Sequence, residues 1–285
     1  MTTPQDFSGW INRSETVTDI ITATPFAALA ATLDKESVRP SQGTTLPPLW
    51  HWLYFLPIHK QSELGPDGHA LRGGFLPPVT RPRRMWAGGQ FKFYSPLRIG
   101  DRVKRRSTIV SISEKIGRSG GLTFVKVRHD IFCNDASSIS MTEYHDIVYK
   151  DANKSRGSDT KTIQTIDKSS TWSRKIVPDD VLLFRYSALT FNGHRIHYDR
   201  QYATEIEHYP GLIVHGPLIA TFLIDLLREN LPERMVLDFE FRAIYPTFDL
   251  NPFSVHGLQV DENTIELWAC DHERHLTMQA IAHLA

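Results

Sequence analysis

The order of apolar and polar positions divides the chain into two series of strands, each accompanied by one apolar segment that reads as helix. In the first half, residues 91–94, 102–112, 122–132 and 140–149 are rich in β-branched and aromatic side chains, the composition of a pleated, half-buried surface. Gly100-Asp101 and the glycines of 117–121 punctuate them as turns, which predicts a meander of long antiparallel strands. In the second half, 181–187 reads as a strand and 216–230 as a long helix. Strands are predicted again at 235–244, 253–260, 264–270 and 276–283.

Within the long helix, Leu218, Ile219, Phe222, Leu223, Ile224, Leu226 and Leu227 cover most of the circumference, leaving only Thr221, Asp225 and Arg228 as a polar stripe. A helix apolar nearly all round is a buried one, and a wrapping of antiparallel strands would bury it. A weak internal repeat points the same way. At an offset of 150, Met85 matches Met235, Phe91 matches Phe241, Lys92 matches Arg242 and Pro96 matches Pro246. The matching first-half helix is predicted at 49–56, shortened between Pro48 and Pro57, with an insertion rich in Gly, Pro and Arg before Met85. The expected class is α+β: two copies of strands wrapped round a helix, the first copy degenerate. Their limits are read as 1–150 and 176–285, joined by a polar connector at 151–175 that is rich in Ser, Thr, Asp and Lys.

Composition narrows the function classes. A hydrophobic content of 41% and a charged content of 22% suit a chain with a real core. Lys+Arg and Asp+Glu balance at 32 each, which removes the electrostatic footprint of a dedicated nucleic-acid binder. Cys133 and Cys270 are too few for a disulfide framework or a thiolate metal cluster, and they fit a reducing compartment. No apolar run approaches the roughly 20 residues of a membrane span, and the polar N-terminus carries no secretory signal. The expectation is a cytoplasmic protein without nucleic-acid or membrane partners, its assembly into a homodimer left open.

The chemistry concentrates between Ser187 and Leu227. Polar residues crowd 192–199, a turn follows at Tyr209-Pro210-Gly211, and Val214-His215-Gly216-Pro217 leads into the buried helix. Pro217 suits a first helical position, with Gly216 as the expected cap. The N–H groups of Gly216, Leu218 and Ile219 are then expected to be free at the positive end of the dipole, where they can hold an anion or a developing oxyanion.

This run resembles the MaoC-like (R)-hydratase family of hotdog-fold enzymes. Leu189-Thr190 stand for the family's Leu-Thr, Asn192 for its catalytic Asp, His197 for its catalytic His, and Val214-His215-Gly216 for its pre-helix segment. The wording from Thr190 to Asp199 is similar to a narrower branch of that family. The branch holds the type 2 3-hydroxyacyl-thioester dehydratases and the mesaconyl- and itaconyl-CoA hydratases. In the first half, LPPLWHWLYFLP, RGGFLPP, PRRMWAGG and PLRIGD resemble its N-terminal hotdog. The resemblance implies a double hotdog and the addition of water to an enoyl thioester. It implies His197, Asn192 and Gly216 as the catalytic set, and coenzyme A as part of the substrate, with no separate cofactor and no metal.

Position 192 departs from the family, because Asn exchanges no proton at neutral pH. Acid–base duty then falls to His197. Asn192 is left either to orient water through its amide or to cap a turn. Candidate substrate contacts are Arg195, His194, His215, Thr221 and Arg84, the last among the cluster Arg72, Arg81, Arg83 and Arg84. Arg195 is singled out as a partner for a free carboxylate on a C5 acyl group. A linear 3-hydroxyacyl substrate and a non-catalytic acyl-CoA-binding module are the competing readings.

Overall fold

In the computed structural model of the chain, which describes residues 6–36, 39–117, 120–151 and 164–285, the alternating segments pair into one antiparallel sheet. The first half supplies β1 (Ser14–Ile20), β2 (Arg83–Phe93), β3 (Arg102–Gly117), β4 (Gly120–Cys133) and β5 (Met141–Lys150). The second supplies β6 (Trp172–Ile176), β7 (Val236–Ala243), β8 (Phe253–Gln259), β9 (Thr264–Cys270) and β10 (Leu276–Leu284). Their order is β1-β3-β4-β5-β2-β7-β10-β9-β8-β6, so each half repeats the other about the β2–β7 junction. There Gln90 lies opposite Glu240, the residue that the offset of 150 maps onto it. The repeat in the sequence is therefore a pseudo-two-fold in the sheet. Gly88 is required at this junction, since a Cβ there would lie 2.6 Å from the Phe241 carbonyl oxygen. Phe91, Phe239 and Phe241 close the junction with ring centroids about 6 Å apart.

The predicted central helix is α3 (Gly216–Asn230), buried from Leu218 through Leu227 and packed on β6, β8, β9 and β10. Of its polar stripe, Thr221 and Asp225 are buried and Arg228 is half-buried. Asp225 forms ion pairs with Arg228 and with Lys35 of the first half, and Thr221 donates to the Pro217 carbonyl at 2.9 Å.

Three predicted elements are corrected. The segment 181–187 is helix α2 (Asp180–Leu189): the Asp179 side chain caps it by accepting the Leu182 N–H at 2.7 Å, and Leu183, Tyr186 and Ser187 are buried at helical spacing. The stretch 49–56 holds only a 3₁₀ turn at Trp50–Leu53. Leu49 and Phe55 adopt left-handed φ values of 70° and 54° on either side of it, which ends a helix of L-residues. The regular helix of the first half is instead α1 (Ala23–Thr32), which buries Phe26, Leu29 and Ala30 at helical spacing. The connector is shorter than read, since β6 begins at Trp172 and Thr165 already bridges to His275; residues 152–163 lie outside the described ones. No helix of the described residues is long and apolar enough to cross a membrane.

Candidate active site

With no long helix in the first half, the inner face of the sheet opens into a cleft of about 2560 Å³ that runs from that half to the start of α3. This exceeds the roughly 300–1,000 Å³ of common small-ligand pockets. Asn192, His194, His197, Gly216 and Arg84 of the predicted site residues line it; Arg195, His215 and Thr221 do not. His215, not Gly216, caps α3, and its carbonyl already accepts the Ile219 N–H. The donors that remain at this helix start are therefore the N–H groups of Gly216 and Leu218, with the dipole behind them.

His197 is buried in a short 3₁₀ turn, Arg195–His197. Its Nδ1 lies 2.7 Å from the Ile213 carbonyl, which can only accept, so Nδ1 carries the hydrogen and Nε2 keeps its lone pair. Burial pushes its pKa down to about 4, against the opposing hydrogen bond to Ile213 and with some help from the charge of His69. The imidazole is therefore neutral at physiological pH, the state a general base needs. His215 stacks on it with centroids 3.8 Å apart, and the Ser187 hydroxyl lies 2.8 Å from His215 Nε2. His215 thus fixes His197 from behind instead of touching the cleft. Asn192 accepts the His194 N–H through Oδ1 at 3.1 Å, an Asx turn that shapes the motif.

A turn of the first-half insertion completes the site, and it was missed in the sequence. Gly65–His69 closes on itself through the Gly65 N–H to the His69 carbonyl at 2.7 Å, and it docks on the motif. The Arg195 N–H donates to the Asp67 carbonyl at 3.0 Å. Gly68 sits at φ +85°, where an added Cβ would come within 1.8 Å of the Gly193 carbonyl oxygen. Docking brings His69 against His194, ring centroids 4.0 Å apart, with His194 edge-on to His197 at 5.4 Å. His69 Nδ1 bonds Asp67 Oδ2 at 3.0 Å. Burial raises the Asp67 pKa, but the hydrogen bonds and charge of His69 outweigh it and hold the carboxyl well below its usual range. Burial lowers the pKa of His69 against the pull of Asp67, and Arg84 lowers it further. The Asp that precedes His69 by two residues in Gly-Pro-Asp-Gly-His was the available signal.

Arg195, expected to bind a substrate carboxylate, is committed elsewhere. Its guanidinium pairs with Asp199 at 2.8 Å, donates to the Pro66 carbonyl at 3.0 Å and lies over the Tyr202 ring. It clamps the turn to the motif. Thr221 bonds the Pro217 carbonyl of its own helix and the Tyr186 side chain of α2. Arg84 does line the cleft, forms no ion pair among the described residues, and its charge reaches both His69 and His194.

Residues 49–249 match the family model described as hydroxyacyl-thioester dehydratase type 2. A mesaconyl-C(4)-CoA hydratase of Chloroflexus aurantiacus is 47% identical over 87% of this chain and 87% of its own. The mitochondrial hydroxyacyl-thioester dehydratase type 2 of Schizosaccharomyces pombe is 27% identical over 87% of this chain and 93% of its own. Among solved structures, a MaoC-like dehydratase from Phytophthora capsici superposes with a TM-score of 0.70 at 13% identity, covering 96% of each chain. A Mycobacterium tuberculosis protein described as a double hotdog does so at 0.60 and 10%, over 96% of each chain. At such identities the likeness is one of fold. The palindromic sheet about β2–β7, the helix wrapped by the second half and the histidine motif before it agree with these matches: the chain is a double hotdog of the hydroxyacyl-thioester dehydratase type 2 family, a hydro-lyase of the MaoC-like group.

Proposed function

We propose that the protein hydrates a short, branched C5 dicarboxyl enoyl-CoA, mesaconyl-CoA thioesterified at C4 or its itaconyl isomer, to citramalyl-CoA. The observation that carries the reading is a neutral, buried His197 that lines the same cleft as Gly216, whose N–H is free at the start of α3. His197 takes a proton from water as the water oxygen bonds the β-carbon. In mesaconyl-C4-CoA, whose double bond is conjugated with the thioester, the double-bond pair moves to the thioester oxygen, where the Gly216 N–H stabilises the enolate, and the α-carbon is then protonated. Coenzyme A enters as part of the substrate, and the chemistry calls for no metal or redox cofactor. Cytoplasmic residence belongs to the same reading, supported by the free thiols Cys133 and Cys270.

The hydratase relative from Chloroflexus supports the dicarboxyl substrate, and Arg84, among the cations that line the cleft, is our candidate for its free carboxylate. The yeast relative supports a linear 3-hydroxyacyl thioester as the second reading. Assay of the purified protein against mesaconyl-C4-, itaconyl- and crotonyl-CoA, by enoyl-thioester absorbance and by mass gain of water, decides between them. Arg84→Met is expected to lower kcat/KM for the dicarboxyl substrates and leave crotonyl-CoA nearly unchanged. Loss of a charged contact in a closed site costs on the order of 2–5 kcal/mol. An equal fall for every substrate would instead place Arg84 on the CoA phosphates.

A further inference from the structure

We propose that His69, oriented by Asp67, is the second acid–base group of the site, filling the role that Asn192 has no proton to fill. This rests on the hydration reading above, and it answers a gap in it. Adding water moves two protons: one leaves the water, and one arrives at the α-carbon. His197 accounts for the first. Asn192 cannot serve the second, and its Oδ1 is already engaged with the His194 N–H.

Four observations converge on His69. It lines the cleft together with His194 and His197. Its Nδ1 is held by Asp67 Oδ2 at 3.0 Å, while its backbone N–H donates to Asp67 Oδ1 at 3.1 Å. That grip fixes the tautomer and leaves Nε2 as the working atom, the logic by which a carboxylate orients a catalytic imidazole. Asp67 pulls toward the imidazolium form against the burial and the Arg84 charge that hold the His69 pKa below its ordinary value, so the proton donor is the minority form at neutral pH. Finally, the turn is seated on the motif by contacts, mostly of backbone, that tolerate little displacement. These are Arg195 N–H to Asp67, the Arg195 side chain to Pro66, and Gly68 against Gly193, where even a Cβ has no room. A loop that only covered the cleft would need no such register.

The step balances as follows. His197 Nε2 removes a proton from water as its oxygen bonds the β-carbon, and the π pair becomes the thioester enolate. The His69 imidazolium gives its Nε2 proton to the α-carbon as the enolate collapses to the thioester. His197 then holds one proton more and His69 one fewer. Transfer back through His194, whose ring lies between theirs, restores both.

The test compares wild type, His69→Gln, His69→Ala and Asp67→Asn as full-length chains, each checked for a cooperative thermal transition, with mesaconyl-C4-CoA and crotonyl-CoA. His69→Gln should lower kcat by about 10² to 10⁴-fold, the span of a lost general acid or base, with KM little changed and one limb of the pH–rate profile missing. Imidazole added to His69→Ala should restore part of the rate, in proportion to its protonated fraction. Asp67→Asn, nearly isosteric, should lose kcat while the turn stays docked, and it carries the test should His69→Ala not fold. His69→Gln with wild-type kcat and both limbs intact overturns the proposal, as does a loss in His69→Ala that imidazole leaves untouched. Inactivation of the wild type by a chelator, reversed by a divalent metal, overturns it too, because Asp67, His69 and His194 would then be ligands. If the wild type hydrates neither thioester, the functional reading itself falls. If it does and His69→Gln does equally, only the role of His69 falls.

Discussion

The role proposed for His197 depends on what surrounds it: a carbonyl that fixes one nitrogen, a stacked imidazole behind it and burial that keeps it neutral. His197→Ala should therefore lower hydration by about 10² to 10⁴-fold in a folded protein, and near-normal turnover would remove it from the mechanism. At Asn192, a carboxylate can accept the same His194 N–H, so Asn192→Asp should keep measurable activity. Asn192→Ala loses the Asx turn and should lose more; kcat of the two variants side by side checks the order. These residues were legible in the sequence because the motif is continuous from Asn192 to Gly216. Asp67 and His69 were not, because their place depends on docking between the two halves. Arg195 was misread for a simple reason. A charge inside a motif invites a substrate role, although Asp199 four residues on was a partner already visible in the sequence.

Among elements, the predicted strands of the second half after α3 and the largely apolar helix α3 itself formed where predicted, since periodicity reports burial directly. The two failures have different causes. In α2 the run Val181-Leu182-Leu183-Phe184 hides a helical spacing behind apolar neighbours, and half of it is exposed: Val181 at 62% and Phe184 at 60%. The first-half segment 49–56 is apolar enough for a helix but is closed off by left-handed residues that only the backbone reveals. Turn 65–69 is the element on which the site depends, and Gly68 is its hinge. Gly68→Ala meets both a strained φ and the Gly193 carbonyl oxygen, so the turn has to lift. Because small displacements of catalytic groups cost up to about 10²-fold, kcat should fall at least about tenfold while the melting temperature moves only a few degrees. Unchanged kcat would show that the docked turn is not needed for turnover.

At the scale of the whole molecule, both halves bury histidines in neutral form, and stability should record it. Burial lowers the pKa of His129, in the first half, and of His215 well below the ordinary value, with neighbouring imidazoles adding to the effect. His194 is lowered as well, and His197 to about 4. In the unfolded chain each of these titrates near 6.5. As pH falls below that value the unfolded state binds protons that the folded state refuses, so their stabilisation is full above about 6.5 and is lost toward the folded values. His197 alone accounts for on the order of 3 kcal/mol by pH ~4. The depressed carboxylates Asp67 and Glu143 act in a different window. Their folded pKa values lie below the ordinary carboxylate range, so they lose stabilisation only as pH drops through that range, near 4 and lower. The interval from about 6.5 to 4.5 therefore belongs to the histidines. The urea midpoint should fall continuously across it, and His129→Gln, at a residue of β4 that does not line the cleft, should flatten the slope without removing hydration. A midpoint constant from pH 7.5 to 4.5 would mean that these imidazoles take up protons in the folded protein, and the neutral state assigned to His197 would fall with it.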